Sequence, residues 1–562
     1  MSNKPIQVTD LFEVHPRVDP SDHAQRNPLL DGAAQNKLQA AEQFLEKGDF
    51  AAAMALCGEI LQQSPQDPAA SHMMGMTAHR LGNSDLALKF IEVALSAQPH
   101  FARAWYSRGV ILRMQGRNTE ALHCARTTVA FAPGIGEAWD LMGQILRDQG
   151  DLTEASTCHQ RALALQPNNP QFLNNYALLL LAQGDLPAAY QAAHKANEVD
   201  PAQPSVILGN LLIAMGYPER AAEHFARARA AFPELHKIAV NEAIARLQIG
   251  DGEQGWKLWE LRPEFEGPLT KVPLWQGQKV PRLLLHEEQG LGDLIQWMRY
   301  IPLVKNRADH IEAYVRGPLR RLFTENFPYI HLLDEIAPQS SADARCRWSS
   351  FPFFFGTALD DIPATPYLAA SAKGRAFWRD KLRSLPCPRI GMVWGCHTLS
   401  HTAPKRSLNI DLIKPLIACG PLHYVSIQKD RPEKVEGIFD AEPYLNDLVD
   451  TAALISELDL VICVDTAVAH LTGALGVPLF LPLPLITDDG RWLLGREDSP
   501  WYASARLFRQ GTSGDWADVM EKMRAEVGKF ISGDKSVLSP PRWIGENLRQ
   551  NPHALPLPIA RS

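Results

Sequence analysis

Residues Leu458 to Pro478 read LDLVICVDTAVAHLTGALGVP. The run Leu460-Val461-Ile462-Cys463-Val464 has the length and β-branched content of a buried strand. The chain then turns at Asp465-Thr466 and continues through small residues, Ala467 to Leu475, as a helix. Gly476 stops that helix and Pro478 opens the next apolar run. Asp465 and Thr466 therefore fall where a parallel strand hands over to a helix N-terminus. Free N–H groups and the helix dipole converge there, which suits an anionic ligand. His470 lies one turn further along the same side.

Working outward, the strand–turn–helix pattern recurs on both sides. A second α/β half starts at Pro388, with strands expected near Ile390–Trp394, Tyr424–Gln428, Leu460–Val464, Leu479–Leu483 and Arg506–Phe508. A last helix is expected from Trp516 to Ile531, followed by a Pro-rich, extended tail over 532–562. Upstream, Arg282–Glu287 and His310–Arg316 read as strands, and Leu294–Leu303 and Pro318–Phe327 as helices. Residues 340–365 are poorly periodic. Two halves of parallel character, 282–375 and 388–531, predict two facing, doubly wound Rossmann-like domains with a site in the cleft between their carboxyl ends.

The chain before residue 266 follows a different rule. Pro65, Pro99, Pro133, Pro167 and Pro201 recur every 34 residues, as do Gly48, Gly82, Gly116, Gly150 and Gly184, and Ala53, Ala87, Ala121, Ala155 and Ala189. That is the tetratricopeptide period, and Trp105 with Gly109 and Trp139 with Gly143 occupy its Trp and Gly positions. Residues 34–265 predict an α-solenoid of six repeats and a degenerate seventh, whose Trp256 and Trp259 cap the stack. Its groove suits a polypeptide, and Asn174, Asn175 and Asn210 are the amides expected to clamp an acceptor backbone. Residues 1–33 read as a flexible arm and 266–281 as a Pro/Gly-bearing linker.

Composition bounds the function. With 562 residues the chain exceeds one core, and a formal net charge of −7 gives no reason to expect a nucleic-acid partner. Eight cysteines without a C-x-x-C pair fit reduced thiols better than disulfides or zinc. No signal peptide and no span-length apolar run are found, so a cytoplasmic protein is expected.

Four segments are placed at the cleft. Gln289-Gly290-Leu291-Gly292-Asp293 follows a strand and opens a helix; its glycines let a ligand approach, and Asp293 is either a cap or a base. Trp394-Gly395-Cys396-His397 is followed by Lys405-Arg406-Ser407, where two cations beside a helix start suit a diphosphate. Ser426-Ile427-Gln428-Lys429 ends a strand where a nucleoside could rest. Asp465-Thr466-Ala467 with His470 is the fourth.

Taken in this order, G-L-G-D, V-W-G…R-S and V-D-T-A-V-A-H-L-T-G-A-L-G-V-P resemble GT-B glycosyltransferases of the bacterial heptosyltransferase type. The layout, with D-S-P-W-Y…L-F-R-Q near the end, is similar to bacterial proteins that fuse tetratricopeptide repeats to such a domain. The usual W-x-G-N-P is replaced here by Trp394-Gly395-Cys396-His397-Thr398. The resemblance implies a GT-B fold, a nucleotide-sugar co-substrate and no metal, and the chain has no D-x-D triplet. It also implies Asp293 as catalytic base, with Arg406, Lys405, Asp465, Thr466 and Ala467 at the leaving phosphates. O-GlcNAc transferase and flagellin glycosyltransferases with fused repeats are architectural comparisons. Three functions compete: sugar transfer to Ser/Thr of a protein recruited by the repeats, transfer to a glycan or lipid-linked sugar, and non-catalytic interaction by a decayed domain.

Overall fold

A computed structural model describes residues 32–202, 205–263, 271–286, 290–335, 341–396, 406–420, 423–429, 435–485, 490–511 and 514–540. It divides into two compact units, one running to Leu211 and the other starting at Leu212.

Fourteen helices run from Gly32 to Trp259. The repeat glycines end the first helix of each pair in the left-handed region, from Gly48 at φ 79° to Gly250 at φ 82°. A side chain there would be strained, so the period in glycine is a period in helix stops. Asp49, Asn83, Asp151 and Asp185, each directly after such a glycine, cap the next helix. Ala53, Ala87, Ala121, Ala155 and Ala189 are fully buried where paired helices meet. Trp105 and Trp139 donate to the carbonyls of Pro99 (2.8 Å) and Pro133 (2.9 Å), tying each first helix to the turn before it.

The first unit also buries a polar cluster. Asp140 accepts from His159 Nδ1 (2.9 Å), Asn175 Nδ2 (2.7 Å) and Gln144 Nε2 (2.8 Å). Gly143 makes room for this, because a Cβ there would stand 2.7 Å from the His159 ring. Asn175 is thus a core residue, and the expectation that it clamps a ligand is corrected: its amide is buried and committed to Asp140. Asn174 accepts from Ser205 Oγ at 2.6 Å, and Asn210 is half-buried. Asp140→Ala leaves two buried donors without a partner, and the expected loss of stability is about 3 kcal/mol. Thermal unfolding checks this; an unchanged midpoint would show the cluster to be dispensable.

In the second unit the helices Pro218–Ala231, His236–Gln248 and Gly252–Trp259 precede two parallel sheets. The first has order β3-β2-β1-β4, with β1 Val280–His286, β2 Ala308–Tyr314, β3 Ile330–Leu333 and β4 Ala344–Arg347. Register places Leu283 opposite both Ile311 and Ala344. The second has order β10-β9-β8-β5-β6-β7. Its strands are β5 Ile390–Val393, β6 Tyr424–Ser426, β7 Phe439–Asp440, β8 Leu460–Cys463, β9 Leu479–Leu483 and β10 Ala505–Arg509. Counted from β5, that is the doubly wound dinucleotide-fold order, and its switch point lies between β5 and β8. Ile390 is opposite Tyr424 on one side and Leu460 on the other.

Several boundaries differ from expectation. β3, β4 and β7 were not anticipated, and β4 lies in the stretch read as aperiodic. The described part of the 266–281 linker is docked: Trp275 is buried, and its backbone N–H donates to the Arg345 carbonyl at 2.8 Å. The helix Ala372–Lys381 crosses the expected end of the first half at 375 and packs against Leu448–Ile455, with Trp378 Nε1 donating to the Asp450 carbonyl at 3.1 Å. In the tail, Lys535–Leu538 is a short 3-10 turn that buries Val537 instead of an extended strand.

Candidate functional site

The loops leaving β5 and β8 border the switch point. After β8, the backbone enters the helix Ala467–Leu475 through Thr466, whose φ of −144° and ψ of 174° are extended. Thr466 gives that helix no side-chain cap, so Thr466 and Ala467 sit, part-exposed, at an N-terminus with donors to offer an anion. Arg406 reaches this turn. Its Nη1 donates to the Asp465 carbonyl (3.0 Å) and lies 3.4 Å from the Asp465 carboxylate, and its side chain is 28% exposed. The Asp465 carboxylate holds Arg406 and lies 3.8 Å from His470 Nε2.

The loop after β5 is held from behind. Gln428 Oε1 accepts from the N–H groups of Trp394 (3.1 Å) and Gly395 (2.8 Å), and its Nε2 donates to the Lys429 carbonyl (3.1 Å). Trp394 is buried in the core cluster of this sheet. These two expected ligand contacts are therefore corrected to supports of the loop, since neither presents a free group. Ser407 Oγ accepts from Cys396 N–H at 3.0 Å. His397, Lys405 and Gln289 lie outside the described residues.

The first sheet contributes the turn after β1. Gly290 caps the helix Leu291–Trp297, and its N–H donates to Asp293 Oδ2 at 2.9 Å. Gly292 faces the second sheet's helix so closely that a Cβ would stand 2.7 Å from the His470 ring and 3.4 Å from Ala467 Cα. Glycine is needed there for approach between the halves, not for φ. The other oxygen of Asp293 is bound by Arg491 Nη2 from the loop beyond β9. Arg491 thus joins the halves, and sequence reasoning missed it: a single arginine in a Pro- and Asp-rich loop carries no period or motif.

Arg491 also sets the state of His470. Its Nη1 lies 3.1 Å from His470 Nε2, and a guanidinium only donates, so Nε2 accepts and Nδ1 carries the proton. Nδ1 then donates to Tyr502 Oη at 2.8 Å. Burial, reinforced by Arg491, holds the imidazole well below its ordinary pKa, so the ring is neutral. Both nitrogens are occupied, and the expected donor contact of His470 is corrected to a positioning role. Tyr502 is hydrogen-bonded onward to Tyr367, which donates to the Ile295 carbonyl at 2.9 Å. Arg299 braces this network from inside the first half, donating to the Trp501 carbonyl at 2.7 Å and stacking over Tyr502 at 4.8 Å.

Burial alone would raise the pKa of Asp293, but the Arg491 charge and hydrogen bond, with Gly290 N–H, outweigh it and hold the carboxyl below its usual value. The pair therefore adds stability above the unfolded carboxylate pKa near ~3.9 and loses it as pH falls through the lower native value. Arg491→Met removes the charge and the hydrogen bond that lower the pKa most, and burial, the largest single effect, then outweighs the Gly290 N–H. The Asp293 resonance should then titrate above the ordinary carboxylate pKa, and the stability lost by the variant should be largest at neutral pH and shrink as pH falls through that raised value. An unshifted titration would contradict the pairing. Among the described residues, no cluster of three or more His, Cys, Asp or Glu could hold a metal, and no helix is long and apolar enough to cross a membrane.

Comparison with known proteins identifies the repeats. Models of tetratricopeptide repeats match residues 44–111 and 143–184. Protein FlbA of Caulobacter vibrioides is 26% identical over 344 residues, covering 53% of this chain and 56% of that protein; the match thus spans about half the length of the relative. Among solved structures, Pseudomonas aeruginosa PilF aligns with a TM-score of 0.32 and 19% identity over 36% of this chain and 92% of that one. MamA from Desulfovibrio magneticus RS-1 aligns at 0.28 and 22%, over 31% and 99%. The periodic glycines, the paired helices and the two repeat matches agree: the amino-terminal part of this protein is a tetratricopeptide-repeat solenoid followed by parallel α/β sheets.

Proposed function

We propose that the second unit is a GT-B glycosyltransferase that moves a sugar, with inversion and without a metal, from a nucleotide-sugar to Ser or Thr hydroxyls of a protein held by the repeats. One observation carries this reading. The Asp293 turn packs through Gly292 on the helix Ala467–Leu475, Arg491 joins Asp293 to His470 of that helix, and Arg406 lies at the turn that opens it.

In this reading the diphosphate of the donor rests at Thr466-Ala467 and Arg406, and it competes with Asp293 for the Arg491 guanidinium. Release of Arg491 raises the basicity of Asp293 as the donor arrives. Asp293 takes the proton of the acceptor hydroxyl, and the oxygen forms a bond to the anomeric carbon. The bond from that carbon to the diphosphate breaks on the opposite face, and the electron pair leaves with the nucleotide. Charge grows on the leaving diphosphate, where Arg406 and the helix N–H groups stabilise it. Flagellin is the candidate acceptor, by likeness of architecture to flagellin glycosyltransferases with fused repeats.

The ion pair that occupies Asp293 favours a second reading, in which the unit binds partners without turnover. Thermal shift over UDP, GDP, ADP and CMP separates the two. A nucleotide at about 100 times its Kd should add about 2.7 kcal/mol. Stabilisation by one nucleotide supports the donor site; no stabilisation by any of the four supports the non-catalytic reading.

A further inference from the structure

A cavity of about 130 Å³ lies in the second unit where the last helical pair meets the α/β part. Four tryptophans line it, Trp256 and Trp259 of the last helix and Trp297 and Trp501 beyond it. Trp256, Trp297 and Trp501 hold one another edge-on, with centroids 5.6 to 6.2 Å apart, which fixes the walls and keeps the space open. The two tryptophans expected to cap the repeats are therefore built into a recess.

One polar side chain in that recess has no partner. Gln296 is fully buried, and neither its Nε2 nor its Oε1 is hydrogen-bonded within the protein. The other polar side chains at the cavity are engaged. Thr357 Oγ1 is bonded to Tyr300 Oη at 2.9 Å, and Arg491 is held by Asp293 and His470. Buried amides in native proteins are almost always paired, so an unpaired one lining a cavity marks an absent partner.

We propose that this cavity anchors one apolar residue of a bound polypeptide, with Gln296 paired to that residue's backbone N–H and C=O. The size fits, because an apolar cavity of about 150 Å³ takes a benzene-sized group. The polarity fits as well. A primary amide presents an N–H and a C=O side by side, and the N–H and C=O of one extended residue, which point the same way, complement both. A hydrocarbon supplies neither, and a sugar ring brings more hydroxyls than one amide can satisfy. Arg491 on the rim places this anchor next to Asp293, so a residue held here sets a neighbouring hydroxyl near the carboxylate. That last consequence rests on the transferase reading; the anchoring does not.

The test is a tryptophan-fluorescence titration of the full chain, without donor, using N-acetyl-L-leucinamide and N-acetyl-L-phenylalaninamide. Methyl glucoside and toluene serve as comparison probes. Both amides should saturate the signal, and Gln296→Leu should weaken them about tenfold or more while toluene binds as well or better. Retained toluene binding shows that the variant is folded. Ile244→Trp, which fills the cavity, should abolish amide binding with helix content unchanged. Saturation by the glucoside alone, or amide binding unaffected by either substitution, would overturn the proposal. A failed titration leaves the transferase reading standing, and absent sugar transfer with a saturating titration overturns only that reading.

Discussion

Asp293→Asn should lower sugar transfer to a protein acceptor by about 10²–10⁴-fold, the range a positioned general base supplies. The substitution is nearly isosteric, and an amide oxygen can still accept from Gly290 N–H, so the turn should survive. What is lost is the group that takes the proton. Arg491 loses its carboxylate partner at the same time and becomes freer to meet a diphosphate. Nucleotide binding should therefore be retained or tightened while turnover collapses. Single-turnover transfer with equilibrium nucleotide titration measures both. A variant that transfers within about tenfold of the wild type would remove Asp293 from the chemistry, because a base is worth more than that.

Arg406→Met should cost about 10²–10³-fold in kcat, comparable to the loss of one preorganised charge-stabilising donor. Two effects act in the same direction. The leaving diphosphate loses a cation, and Asp465 loses the guanidinium 3.4 Å away. A buried carboxylate then repels the charge that the transition state builds beside it. Arg406→Lys restores the charge without the planar fork, so its rate should fall between the two. Equal rates for the Met and Lys variants would show that charge at this position does not matter.

What was legible in the sequence follows from how local its causes are. A left-handed glycine, a capping Asp and a buried alanine act within one helical pair, so their 34-residue period exposes the solenoid directly. Strands buried on both faces, such as Leu460–Cys463, are continuous apolar runs and were found within a residue or two. β4 was hidden because its sequence is ARCR; Arg345 and Arg347 are buried there with partners that include the carbonyls of Val272 and Pro263 and the Glu260 carboxylate. At the site, Asp293 and Asp465 stood on strand-to-helix turns, which a chain announces locally. Arg491 and Tyr502 reach it through tertiary packing alone. Asn175 and Gln428 were misread for the same reason, since a polar residue bonded inside the core looks in sequence like one offered to a ligand.

The most direct measurement is the intact mass of proteins captured by the repeats, after incubation of the full chain with a panel of sugar nucleotides. The account predicts a shift of one or more sugar residues on a polypeptide, absent with Asp293→Asn. Donor consumption with a shift only on a glycan or lipid, or no donor consumption at all, would contradict it.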